Sequence, residues 1–397
     1  MAGFDSAALT SSNPFSLYVH LPFCRSKCPY CDFFSVPCDR NEDMERVVDG
    51  ILEELAWFGQ RLRPSAVPTV YVGGGTPSLL PGRSLERLLV GIRAFASRPA
   101  EWTVEANPES LSVAFLETCA QQGVDRLSLG VQSTRDRLLR VLGRPGDEAA
   151  NRLALERIRS AWRLRLNLDF LVGVPGQNRG DLFRDLREAR EAGAGHVSLY
   201  ALTPPPGTAL AEAVQEDARD ELWLAGFEQL EGQGYRNYEV ANFARPGQEC
   251  LHNLRYWRLE PYLGVGPGAV STLPGAGGEV IRLYHPENIP AYLAGNPWGL
   301  RQERIRPKEF LLETLMMGLR LRSGIEAVEF SRRFGRPLPD LLPGVWQGWA
   351  ERGFLRNDPA AYAFTDQGRL LLNRRLAEAQ TALDEVADPP VRWPAGE

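Results

Sequence analysis

The sequence has few cysteines, few histidines and almost no lysine, and each scarcity limits what the chain can be. Six cysteines in 397 residues are too sparse for a disulfide-stapled secreted fold, and Cys38, Cys119 and Cys250 stand singly. Any imidazole ligand must come from four histidines, His20, His196, His252 and His285. Of 45 basic residues only Lys27 and Lys308 are lysines, a bias that points to a GC-rich genome or a hot habitat rather than to a function. A net charge of −5 gives no electrostatic footprint for nucleic acid. No stretch approaches the ~20 apolar residues of a membrane span. Residues 1–16 hold no basic residue and no apolar run, so no signal peptide is expected. Together these predict a soluble, cytoplasmic protein in a reducing compartment, with at most peripheral membrane contact. The length allows two or three domains.

Half of the cysteines stand together. Cys24, Cys28 and Cys31 follow Tyr18-Val-His-Leu-Pro-Phe in the spacing C-x3-C-x2-C. Three thiolates on one tight loop can hold three corners of a cubane iron–sulfur cluster and leave the fourth iron open to a ligand. A structural zinc site, completed by a fourth ligand such as His20, is the main alternative; a disulfide framework is disfavoured by the rest of the chain.

Short apolar runs at Leu17–His20, Val70–Val72, Trp102–Ala106, Arg126–Val131, Leu166–Val172 and His196–Leu202 alternate with amphipathic segments near 42–62, 83–97, 110–121, 134–142, 149–161 and 180–192. Six strand–helix units in a row predict an α/β fold, a parallel sheet curled into a partial (β/α)6 TIM-like barrel. Chemically unusual residues follow each run: the cysteines, then Gly73-Gly-Gly-Thr-Pro77, Glu105-Ala-Asn-Pro108, Gln132, Asp169 with Gly173, and Ala201. Strand C-terminal ends are where such barrels place their sites. Beyond them, 218–234 reads as a helix, Tyr238–Ala244 and Leu263–Gly268 as loop and extended structure, and 273–306 as a Gly/Pro-rich hinge. A smaller, mainly helical unit follows, with Phe310, Leu311, Leu315 and Leu319 on a helical period over 308–320 and Thr365 capping a final helix. It is expected to close part of the barrel's open end. The domain boundaries read 1–14 as a tail, 15–240 as the barrel, 241–306 as an extension and linker, 307–380 as the helical domain and 381–397 as a frayed tail.

The glycine run lets backbone approach a ligand closely. Glu105 and Asp169 lie inside apolar runs, where a buried acid needs partners; an ammonium or a ribose diol would supply them. Gln132 and Arg144 could complete a polar lining, although Arg144 alone would read as surface. In Cys250-Leu-His252-Asn-Leu-Arg-Tyr256-Trp257, Cys, His and Tyr are all haem-iron ligand types, and Trp257 could stack on a macrocycle. A buried histidine bonded to backbone is the equal alternative.

Taken together, Tyr18–Cys24, Gly73–Ser78, Val104–Pro108, Ser128–Ser133, Asn167–Asp169, Gly173–Gln177 and His252–Trp257 resemble the radical S-adenosylmethionine (SAM) family of oxygen-independent coproporphyrinogen III oxidases and their relatives, over about residues 15–375. Within it the chain is more similar to the HemW-type haem chaperones. Phe33 stands where the oxidases carry a fourth cysteine, and the segment before Cys24 is short.

The resemblance implies a [4Fe–4S] cluster on Cys24, Cys28 and Cys31, and SAM bound by Tyr18, Gly74, Gly75, Thr76, Glu105, Gln132, Arg144, Asp169 and Ala201. It implies haem as cargo, with His252 as the suspected contact, and as partners an electron donor and haem-accepting respiratory proteins. Gly146 and Val270 stand where relatives often have histidines, so no haem or substrate role attaches there. The expected function is haem delivery rather than catalysis, the alternative being oxidative decarboxylation of coproporphyrinogen III.

Overall fold

The computed structural model describes residues 13–393 apart from Arg63 and Asn296. Most of the expected N-terminal tail, and the last four residues, lie outside the described residues. Six parallel strands form the heart of the fold: β1 Ser16–Leu21, β2 Thr69–Gly74, β3 Glu101–Ala106, β4 Arg126–Gln132, β5 Arg165–Val172 and β6 His196–Ala201. They pair in that spatial order. Helices α1 Asn41–Arg61, α2 Gly82–Phe95, α3 Val113–Gln122, α4 Asp136–Val141, α5 Glu148–Ala161, α6 Arg179–Glu191 and α7 Glu216–Gly232 follow the strands in turn.

Alternation along the strands explains both the core and the hollow. Leu17, Val19, Val70, Val72, Val104, Leu127, Leu129, Leu168, Phe170, Val197 and Leu199 are fully buried in the main core with the helix residues Val47, Ile51, Leu88 and Leu186. Each such side chain contributes roughly 1.5–3 kcal/mol by leaving water. The intervening positions are Tyr71, Thr103, Glu105, Arg126, Ser128, Asn167, Asp169, His196 and Ser198, and these line a cavity of about 430 Å³ inside the sheet. A barrel with no interior ligand fills that space with branched aliphatic side chains. Here the interior face is polar.

The sheet does not close. β7, Asn242–Ala244, runs antiparallel to β6 at one edge. At the other, β8 Tyr262–Val265 pairs parallel with β1, and β9 Val270–Pro274, β10 Val280–Tyr284 and β11 Arg301–Ile305 continue it as an antiparallel meander. The expected hinge over 273–306 therefore contributes to the sheet through the end of β9, β10 and β11, with a short helix, Ile289–Ala294, between the last two. Its glycines, Gly275–Gly278, make the turn between β9 and β10, while Val280, Ile281 and Leu283 are buried. The segment around His252 is regular: Leu251–Trp257 forms a short helix, α8, at the N-terminal end of the barrel.

The C-terminal unit has its own core around Phe310, Leu315, Phe330, Phe334, Trp349 and Phe364. Thr365 caps its helix by accepting from the Gly368 N–H (3.2 Å). It backs onto α8, where Arg333 donates to the Arg258 carbonyl (3.0 Å), and onto Asn237 and Glu239 through Arg369, so it braces the barrel's floor rather than covering the cysteine loop. The tail expected to fray is docked as far as Trp393. The Arg392 N–H donates to the Arg333 carbonyl, and the Trp393 indole donates to the Glu279 carbonyl and packs on Phe310. A large aromatic with a satisfied N–H holds the stretch that contains Pro389 and Pro390.

Candidate functional site

The cysteine loop leaves β1 and is pinned at several points. The Val36 N–H donates to the Pro22 carbonyl (2.7 Å), the Cys38 N–H to the Cys24 carbonyl (3.0 Å) and the Lys27 ammonium to the Phe33 carbonyl (2.7 Å). Cys24, Cys28 and Cys31 all open onto the upper end of the cavity, whereas Cys38 faces a different hollow beside Ile289 and Leu293. All six cysteines are unpaired. His20 is no fourth ligand. One ring nitrogen is bonded to the Tyr18 hydroxyl (2.8 Å) and the other to the Phe34 carbonyl (2.9 Å). Three sulfurs with no further Cys or His beside them suit a cluster with one open iron better than a closed zinc site.

The glycine run serves the protein before any ligand. A Cβ on Gly73 would fall 2.6 Å from Glu105, one on Gly74 2.5 Å from the His20 ring, and one on Gly75 2.4 Å from the Phe23 carbonyl. The Gly75 and Thr76 N–H groups donate to the Leu21 and Phe23 carbonyls (2.7 and 2.6 Å), clamping this loop to the root of the cysteine loop. Gly74, at φ +104°, donates its N–H to Glu105 (3.1 Å). The close approach anticipated for a ligand is thus made first by neighbouring protein.

Of the SAM-pocket residues inferred from resemblance, Gly74, Gly75, Glu105, Gln132, Arg144, Asp169 and Ala201 line the cavity. Tyr18 and Thr76 do not. Tyr18 is turned onto His20, and Thr76 donates to the Cys24 sulfur (3.6 Å) while accepting from the Asn107 amide (2.8 Å). Gln132 sits at φ +64° beside a register shift between β4 and β5. Such strain in a non-glycine residue is typical of a ligand-facing position. Arg144 is buried, donating to the Asn107 side chain and the Gly130 carbonyl (3.0 Å each), with Glu109 beside it (3.5 Å). Two further participants stand here, Asn107 from the Glu105–Pro108 run and Tyr71, of which the sequence reading missed only Tyr71. Asn107 bridges Thr76 and Arg144, and Tyr71 donates to Glu105 (2.6 Å). Tyr71 was detectable as an inward position in the alternation Thr69-Val-Tyr-Val.

The two acids differ in support. Asp169 accepts from Asn167 (2.8 Å) and Ser128 (3.1 Å), and burial still raises its pKa. Burial pushes Glu105 up to about 7, against the hydrogen bonds from Tyr71 and Gly74, which lower it. Between its ordinary value of 4.5 and about 7 the folded chain holds a proton that the unfolded chain has released. Stability should therefore fall as pH rises through that window, by about 3 kcal/mol. Urea unfolding at about pH 5 and about pH 8 checks this, because Glu105→Gln should lose that component of the slope and gain on the parent at the higher pH. Parallel pH profiles would show that Glu105 ionises normally.

At the floor, Glu101 gathers α8 to the barrel. Its carboxylate accepts from the Leu251 and His252 N–H groups (3.1 and 3.0 Å), the Cys250 thiol (3.3 Å), Arg126 (2.9 Å) and Arg165 (3.2 Å). An acid there satisfies orphan donors at the helix N-terminus. His252 is 1% exposed; one ring nitrogen pairs with Thr69 (2.8 Å), the Tyr71 and Tyr256 rings lie 5.2 and 4.7 Å from it, and burial lowers its pKa to about 3. Its Nε2 has no partner. Trp257, five residues on, lines a separate cleft with Arg258 and Arg333, because that spacing puts it on another face of the helix. His252 and Trp257 therefore do not face one common ring, as the sequence had suggested.

Known proteins resemble this chain in sequence and fold. The radical SAM superfamily matches residues 18–189, and the HemN C-terminal domain matches residues 305–371. The chain is 33% identical over 371 residues to the heme chaperone HemW of Escherichia coli K12, spanning 91% of this chain and 97% of that one. It is 32% identical over 375 residues to HemW of Bacillus subtilis 168, spanning 90% and 97%. The chain belongs to the HemW family of radical SAM proteins. HemW of Synechocystis PCC 6803 is 35% identical over 338 residues, 79% of each chain. The solved structure of the E. coli coproporphyrinogen III oxidase HemN superposes with a TM-score of 0.79 at 20% identity, over 96% of this chain and 92% of that one, which establishes the shared fold. Among the described residues no helix is long and apolar enough to cross a membrane.

Proposed function

We propose that this HemW-family protein is a haem chaperone that carries a [4Fe–4S] cluster on Cys24, Cys28 and Cys31 and SAM in the barrel, and hands haem to acceptor proteins. The observation that carries the cofactor reading is the polar cavity itself, with three thiols at its rim and Glu105, Gln132, Arg144 and Asp169 on its walls. When bound, a cluster with one iron free of cysteine offers a seat for the amino and carboxylate groups of SAM and a source of one electron. The chain's own residues hold the rest of that ligand. Asp169 and Glu105 present acceptors to hydroxyl and ammonium groups, and Arg144 presents donors beside the thiols.

For haem, the histidine census favours His252. His20, His196 and His285 have both ring nitrogens engaged: His196 with Asn167 and Tyr238, and His285 with the Ala269 carbonyl and Glu54. Only His252 keeps a nitrogen free, and burial keeps it unprotonated, as iron requires. Reaching it requires the Tyr71–His252–Tyr256 stack to open. Haem titration should give a saturable shifted absorption band that moves to an apo-acceptor when the two are mixed. His252→Ala should weaken binding by about tenfold or more, equivalent to 1.4 kcal/mol, while His285→Ala leaves the band in place. An anaerobic assay with coproporphyrinogen III alongside separates the two activities. Turnover of it with no haem transfer would overturn the proposal.

A further inference from the structure

The lower half of the barrel cavity has donors that no protein group answers. Its wall there is Thr103, Arg126, Asn167, His196, Cys250 and Asn253. Arg126, 1% exposed, gives its Nε to Glu101 (2.9 Å) and its Nη2 to the Gln248 and Glu249 carbonyls (2.8 and 2.9 Å), but its Nη1 has no partner. Thr103 is completely buried, and its hydroxyl is also unpartnered. Folded proteins seldom leave buried donors bare, and two on one cavity wall mark the place of an acceptor.

The charges around them select its sign. Glu101 is turned to the helix and the arginines and does not line the cavity. His196 is neutral, its nitrogens bonded to Asn167 and Tyr238 and its pKa lowered by burial and then by Arg126. The Cys250 thiol donates to Glu101, and burial keeps it protonated. The acids that line the cavity belong to its upper half: Glu105 on Tyr71 and Gly74, Asp169 on Ser128 and Asn167, Glu109 beside Arg144, and Asp32 in the cysteine loop. The deep end therefore presents uncompensated N–H and O–H donors backed by a guanidinium.

We infer that the deep end of the barrel is a binding site for a small carboxylate, held by Arg126 Nη1 and Thr103 Oγ1 with the Asn253 side chain beside them. A guanidinium with a free edge is well matched to a carboxylate. The site is distinct from the haem and SAM positions and stands whether or not either is correct. The occupant is a free monocarboxylate or the acid end of a longer molecule reaching toward the upper half.

The test uses the full chain, loaded anaerobically with iron and sulfide. Its melting temperature is followed against formate, acetate and succinate at an ionic strength fixed with the bulky sulfonate MES. The parent should show a saturable rise with at least one acid; formate and acetate alone indicate a free small anion, and succinate as well indicates the tail of a longer one. Thr103→Val, which removes an unpartnered hydroxyl and should fold, should raise the apparent Kd at least tenfold, and Arg126→Gln should abolish the effect. No saturable rise in the parent, or an unchanged Kd in Thr103→Val, would overturn the site. The valine variant keeps the test decisive if the glutamine variant does not fold.

Discussion

Alanine at any one of Cys24, Cys28 or Cys31 should leave the anaerobically reconstituted protein with a labile or incomplete cluster, and alanine at all three should leave it colourless and without bound iron. The three sulfurs open on one cavity end, and His20, the histidine nearest them in sequence, has both nitrogens occupied. No further thiol or free imidazole among the described residues opens beside them to replace a lost thiolate. Cys38, which faces another hollow, and Cys119, buried in α3, should be replaceable with the iron retained. Iron and sulfide analysis with the visible spectrum reads the result. A four-iron cluster persisting in the triple variant would reassign the ligands.

Glu101→Ala is expected to be the most destabilising single change outside the apolar core. The carboxylate is fully buried and serves Arg126, Arg165, the Cys250 thiol and two N–H groups of α8 at once. Removing it strands the Arg126 charge in the interior and unfastens the barrel's floor. Loss of one partner of a buried pair costs about 3–5 kcal/mol. Denaturant unfolding should show that loss, and haem affinity should change as well, since His252 rides on α8. A loss below about 1 kcal/mol, the range of an exposed pair, would mean that α8 is held by its apolar contacts alone.

What could be read from the sequence was what period and spacing encode. All six barrel strands are declared by runs such as Leu127/Leu129 and Val197/Leu199, and the cysteine spacing places three thiols on one loop. The polar interior was present in the same runs: Thr103 and Glu105, Ser128, Asn167 and Asp169 occupy every second position. Reading those runs as merely apolar concealed how many inward residues share one cavity. What could not be read depended on contacts between distant segments. Glu101 meets Leu251 and His252 across some 150 residues, so nothing local announced that the histidine motif forms a helix under the barrel. The glycine run reads as a ligand loop, but sequence does not show that the His20 ring and the Glu105 carboxylate already fill part of the space beside it. The meander over Val270–Ile305 was obscured by the glycines of its own turn.

The central claim is a cluster with one iron left open beside a cavity shaped for SAM. Electron paramagnetic resonance of the reduced, reconstituted protein, recorded with and without SAM, tests it most directly. The account predicts a [4Fe–4S]+ signal whose g-values move when SAM is added, with the shift diminished in Asp169→Ala although its iron content is unchanged. A cluster signal indifferent to saturating SAM would contradict it.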